Sequence, residues 1–456
     1  MKSPRRVLLL TVATLAGTAL LAGCAASPEA EGDGKTKITV VSLIPGTEQA
    51  AFDAFDAQVA QFEAENPDID VEGIEYEWTA PTFAAQLAGG TLPDVFRIPL
   101  TDGKTLIQNG QLADITEQVK ALPYYEQFNP SVFGAAQDAD GNVFGIPREA
   151  YAMGLHYNRA LFEEAGLDPE KPPTTWDEVR EYAKVISEKT GQAGYMQMSQ
   201  NNTGGWQLTA NTVSRGGVLE EGSGDDVTVT ADNAGTKEAL EFLKQLRWED
   251  NSMGANFLYD WGTINQAFAA GQIGMYTSGS DLFTSLTREN NLNPDDYGLT
   301  AIPLGDSADA ASLGGGTLNV VNVKASDAVK EAAIKWIDFY DMRKLVEEDA
   351  AVLDAKTLSE AGQAVGTPAL PVFDQETLNQ SREWIAEYIN VPQDQVRFFA
   401  EGNVGRVIAP EPAANTQELY GALDVVVQAV LTDQNADIDA LLKQVNTTIQ
   451  PLVDAG

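Results

Sequence analysis

The chain has 456 residues, more than one hydrophobic core usually supports, so two lobes are expected. Lys and Arg number 29 against 67 Asp and Glu, a formal charge of −38 that argues against nucleic acid or an anionic membrane surface as the main partner. Cys24 is the only cysteine and His156 the only histidine, which excludes an internal disulfide, a thiolate metal site and H-E-x-x-H chemistry, so neither a cofactor nor a metal is expected.

Lys2, Arg5 and Arg6 precede an apolar run over 7–21, the pattern of a signal peptide and too short for a comfortable membrane span. Leu21-Ala22-Gly23-Cys24 resembles a bacterial lipobox, which implies cleavage before Cys24 and lipid attachment to it. Two acyl chains would anchor the mature protein stably. Residues 24–37 then read as a lipidated cysteine and a flexible polar tether.

A β-branched run at 38–44 is followed by Phe52, Phe55, Val59 and Phe62 at helical spacing and by alternating Ile69, Val71, Ile74, Tyr76 and Trp78. Gly73 shifts that alternation as a bulge would. The unit is β-α-β with a parallel pair, and the loop 45–48, ending at Glu48, is a candidate rim of a ligand site. A helix at 83–90 and a strand at 92–98 come next.

Asp138-Ala139-Asp140-Gly141 signals a turn, but the spacing there and at 222–226 fits no calcium loop. Residues 143–146 read as a strand that Pro147 interrupts and 152–157 resume, with His156 as a structural imidazole. Asn158 suits an N-cap, Gly166 a C-cap, and Thr175 with Glu178 a capping box for a helix whose apolar face is Trp176, Val179, Tyr182, Ala183 and Ile186.

The motifs G-x-x-F-G-I-P (141–147), Y-N-R-x-L-F (157–162), A-G-L-x-P (165–169), P-x-T-W-x-E (173–178) and L-A-x-G-x-x-P-D-V-F (87–96) resemble the extracellular solute-binding proteins of ABC importers. Within them the chain is similar to the carbohydrate-uptake type related to maltodextrin-binding protein. The resemblance runs from residue 38 to the end. It implies an α/β, two-lobe, class II periplasmic-binding-protein-like fold with mixed sheets flanked by helices and about three hinge crossings. One lobe would comprise 38–147 and 304–350, the other 148–303 and 351–456, with crossings in the stretch 138–188, at 299–303 and near 350–357.

The resemblance also places Arg97 and Thr101 just after a cleft-lining strand, Tyr151 at the hinge, Trp206 after the glycine-rich stretch 201–205, and Gly315 and Thr317 in a glycine-rich return. In the signature F-x-x-G-x-x-[AG]-M followed by G-x-W, Ser280 and Asp281 occupy the last positions. Asp281 replaces a sugar-stacking aromatic there, so Trp206 or Trp261 would supply the stack. Arg148 and Glu149 are candidates by their place at the hinge. The expected function is non-enzymatic: capture of a sugar or oligosaccharide and delivery to ABC permease subunits by a monomer lipid-anchored through Cys24 to the outer face of the bacterial cell membrane. A glycerophosphate-type ligand and a surface-anchored glycosidase are the alternatives. A phosphate needs several converging cations, and Arg97 and Arg148 are the two visible candidates.

Overall fold

The computed structural model describes residues 34–222, 226–403 and 406–455. The signal peptide, Cys24, most of the tether and part of the turn at 222–226 lie outside the described residues. Among those described, no helix is long and apolar enough to cross a membrane.

The strands are β1 (Thr36–Val41), β2 (Ile69–Ile74), β3 (Val95–Pro99), β4 (Gly145–Asn158), β5 (Ala193–Tyr195), β6 (Glu220–Glu221), β7 (Thr228–Val229), β8 (Ile273–Gly279), β9 (Tyr297–Ala301), β10 (Ser312–Val321) and β11 (Ile408–Ala409). One mixed sheet runs β2-β1-β3-β10-β4-β8-β5, with β9 beside β4 and β11 beside β10, while β6 and β7 pair separately. The helix Gln49–Glu65 joins the parallel pair β1 and β2 as expected. Gly73 makes no bulge, because its register with Val40 is unbroken. A Cβ at that position would stand 2.6 Å from Phe55 Cε1, so the glycine admits the helix onto the strand.

Buried side chains fall into two clusters. One gathers Ile38, Phe62, Phe96, Ile146, Leu318 and Trp336, the other Leu155, Tyr157, Phe268, Met275, Leu299 and Val427. The long antiparallel strands β4 and β10 thread both. β4 leaves the first core at Ile146 and enters the second at Ala152, and β10 returns from Leu313 to Leu318. Pro147 does not break β4. The register shifts between Thr317, opposite Glu149, and Leu318, opposite Pro147. Arg148 is thus the extra residue of a bulge, where a missing proline donor is tolerated and a side chain is re-aimed.

Residues 299–303 pack with the second core, since β9 pairs with Gly154–Asn158 and Leu299 and Ile302 are buried there, and the chain then passes to the first core within β10, at the glycine-rich stretch expected as the return. Helix Glu348–Glu360 packs on Gln49–Glu65 through Gln58 to Asp354 (2.6 Å) and Gln61 to Thr357 (3.0 Å). Val372 and Phe373 still belong to the first core, and the second is rejoined at Val391.

Local signals fare better. The Asn158 side chain accepts from Leu161 N, and Thr175 and Glu178 form the reciprocal capping box of helix Trp176–Thr190. His156 is fully buried between Tyr297 Oη and Gly279 O, each 3.0 Å away, and burial pushes its pKa down to about 4.

Candidate functional site

A cleft of about 680 Å³ is lined by residues of both cores. On the first-core side stand Arg97 from β3, Arg148 and Glu149 from the bulge of β4, Thr317 from β10, and Asp341 and Lys344 from the turns that follow helix Asp327–Ile337. Arg148 ion-pairs with Glu149, and its Nε lies 3.4 Å from Asp341 Oδ1. Burial opposes the Arg148 charge, but the two carboxylates overcome it and hold its pKa above the usual range. Thr317 Oγ1 donates to Glu149 (3.1 Å), Asn319 Nδ2 to Asp341 (2.8 Å), and Lys344 sits 3.5 Å from Asp354. Arg97 reaches only Ser42 O at 3.5 Å and makes no ion pair among the described residues; burial, then Arg148, lowers its pKa.

The second-core side is built differently. Tyr151 and Trp206 meet edge to face, with ring centroids 6.1 Å apart. Trp206 is in the first turn of helix Thr203–Val213, rather than in a loop before it, because Asn202 takes a left-handed conformation (φ 69°) that starts the helix early. Glu411, just after β11, accepts from Tyr151 Oη (3.3 Å), Trp206 Nε1 (3.3 Å) and Tyr420 Oη (3.0 Å). Burial pushes Glu411 up to about 7 in spite of these donors. Burial and then Glu149 push Asp281 up to about 7 as well. Trp261 opens helix Trp261–Ala269, which Asp260 caps, and also lines the cleft. Gln417 Nε2 spans the gap to donate to Thr101 Oγ1 (3.0 Å).

The cleft therefore brings together Arg97, Thr101, Arg148, Glu149, Tyr151, Trp206, Trp261, Asp281 and Thr317. Three other candidates lie elsewhere. Glu48 precedes helix Gln49–Glu65 and accepts from Gln363 Nε2 at 3.5 Å, outside the cleft lining. Ser280 is fully buried behind the wall, its amide bonded to Ala152 O. Gly315 backs the wall, leaving the room that Tyr151 and Glu411 occupy. Glu411, Gln417, Tyr420, Asp341 and Lys344 were not foreseen. The one local signal for Glu411 is that Pro410 and Pro412 flank it, which fixes an extended, rigid presentation.

Among the described residues no cluster of His, Cys, Asp or Glu is arranged to hold a metal. What the walls offer is flat aromatic surface with hydrogen-bonding groups at its edges, suited to a ligand with apolar faces and polar rims.

A family model described as bacterial extracellular solute-binding protein matches residues 57–341. The sn-glycerol-3-phosphate-binding periplasmic protein of Escherichia coli (strain K12) is 25% identical over 297 residues, 62% of this chain and 66% of that protein, so the match spans a little under two thirds of the relative's length. Among solved structures, a solute-binding protein of an ABC transporter from Thermotoga lettingae, bound with α-D-tagatose, superposes with a TM-score of 0.72 at 20% identity, covering 92% of this chain and 100% of its own. A Mycobacterium tuberculosis protein in complex with glycerophosphocholine superposes with a TM-score of 0.70 at 18% identity, covering 92% and 99%.

Proposed function

The chain belongs to the bacterial extracellular solute-binding proteins, and from that premise we propose that it is the capture subunit of an ABC importer for a sugar or oligosaccharide. It holds the solute between its two cores and passes it unchanged to the membrane permease. The observation that carries this is the second-core wall, where Tyr151 and Trp206 present aromatic surface beside the acceptors Glu411 and Asp281. Sugar faces are apolar and sugar rims are hydroxyls, which such a wall matches. The tagatose-bound neighbour supports the same class of solute.

A glycerophosphate-type solute is the second reading, favoured by Arg97, a cleft guanidinium without a carboxylate partner among the described residues, and by the ligand named for the curated relative. Lys344 and Arg382 add two further cations that the sequence did not reveal. Arg148 and Lys344 already face Glu149, Asp341 and Asp354, which leaves Arg97 and Arg382 for a phosphate, fewer cations than a doubly charged group needs.

Thermal denaturation of the full-length protein against tagatose, maltose, ribitol and glycerol 3-phosphate tests both. The true solute at 100 times its Kd stabilises by about 2.7 kcal/mol. Stabilisation by glycerol 3-phosphate alone would overturn the sugar reading, and appearance of hydrolysed maltose would overturn the non-enzymatic one. The same proposal places the mature protein outside the cytoplasm as a monomer held by lipid on Cys24. Metabolic labelling with palmitate should mark the wild type and not Cys24→Ala.

A further inference from the structure

We propose that Glu411 is the specificity-determining residue of the cleft: it sets the wall of Tyr151, Trp206 and Tyr420 and offers its remaining acceptor site to a hydroxyl of the solute, an assignment that presupposes a sugar in the cleft. The three donors come from separate parts of the chain, β4, helix Thr203–Val213 and helix Thr416–Thr432, and meet on one carboxylate. A carboxylate has about four acceptor positions. Oε1 takes Tyr151 and Trp206, and Oε2 takes Tyr420, so one position on Oε2 is open.

The backbone behind the residue is shaped for it. A Cβ on Gly315 would collide with Glu411 Oε1 and stand 2.5 Å from Tyr151 Oη. Trp206 Nε1 can only donate, so the wall cannot rearrange around a missing acceptor without stranding it.

The charges near this corner are of one sign. Asp102 of helix Leu100–Gln108 feels Glu411, and Asp281 and Glu149 lie around Tyr151, while among the described residues no cation pairs with Glu411. A hydroxyl donor fits such a corner; a phosphate would add a further negative charge to it. Because burial holds Glu411 near pH 7, the fully accepting ionised form prevails above that pH and is lost below it.

The test measures binding of tagatose, maltose and ribitol by calorimetry, and tryptophan emission without ligand, from pH 5.5 to 8.5 in wild type, E411Q and E411A. Wild type should bind at least one of these more tightly as pH rises through about 7, and its ligand-free emission should titrate over the same range. E411Q should keep wild-type emission at low pH, flatten both titrations to the remainder that Asp281 and Asp102 contribute, and bind that sugar roughly tenfold more weakly. E411A should lose more and shift the emission, and W206F should remove the part of the emission that titrates. Full binding with an unchanged pH profile in E411Q would overturn the assignment and leave the sugar reading intact. Binding of glycerol 3-phosphate with no sugar bound would overturn both.

Discussion

The two walls of the cleft handle charge in opposite ways. On the first-core side Arg148 lies between Glu149 and Asp341, and Lys344 faces Asp354, so each of these carboxylates has a cation of the protein beside it, and Arg97 is left over. On the second-core side Asp281 and Glu411 have hydrogen-bond donors or backbone nearby but no ion pair among the described residues, and both are pushed up to about 7. A wall whose carboxylates are already paired needs no solute to answer them. A wall whose charges are unmatched carries a desolvation cost that a proton or a solute can relieve.

The sharpest test of that contrast is to remove one charge from each side. Arg148→Met leaves Glu149 and Asp341 without their partner and should destabilise the fold by about 3 kcal/mol in urea denaturation, the cost expected for breaking a buried pair. Next in size, Trp206→Ala should weaken sugar binding by roughly 1–3 kcal/mol in calorimetry, with little change in the binding residual to the first-core wall. Unchanged affinity would remove Trp206 from the site.

Asp281→Asn should do the reverse of Arg148→Met and stabilise the ligand-free protein at pH 8 by about 1–2 kcal/mol, allowing for solvent screening. The sign follows from linkage. A carboxyl whose folded pKa is raised contributes stability below its unfolded pKa and loses it as pH rises through the folded value. Wild type should therefore melt at progressively lower temperature between about pH 4 and about pH 7 as Asp281 and Glu411 ionise, and the gain from Asp281→Asn should vanish at the acid end. The smallest effect should come from Trp261→Ala, whose ring is partly exposed and which should cost about 1 kcal/mol of sugar affinity.

Legibility in the sequence tracked the distance over which each feature is determined. The Asn158 cap and the Thr175–Glu178 box depend on neighbours three residues away, and both form. The motif resemblance carried the family and the two-lobe class, along with the residues of one continuous segment such as Arg148 to Tyr151. The crossings expected at 299–303 and 350–357 rest on family position alone, because an apolar helix face does not say which core will receive it; the contact that seats helix Glu348–Glu360 joins Gln58 and Asp354, 296 positions apart. Glu411 was invisible for the same reason, since Trp206 and Tyr151 lie 205 and 260 positions away. Gly73 was misread because a glycine in a strand signals close approach as well as a bulge.

The three glycines of β10 at the crossing have a consequence for how the gene can vary. A side chain at Gly314 would meet Ile408 of β11, 2.5 Å away; one at Gly315 would enter the Glu411 and Tyr151 corner; one at Gly316 would strike the Glu149 carbonyl. Successive strand residues point to opposite faces, so neither face of the sheet has space to spare. In a saturation library scored for folded protein, these positions should form a three-codon gap in which even alanine is depleted, while Asp306 and Asp309, exposed in the loop just before, accept almost anything.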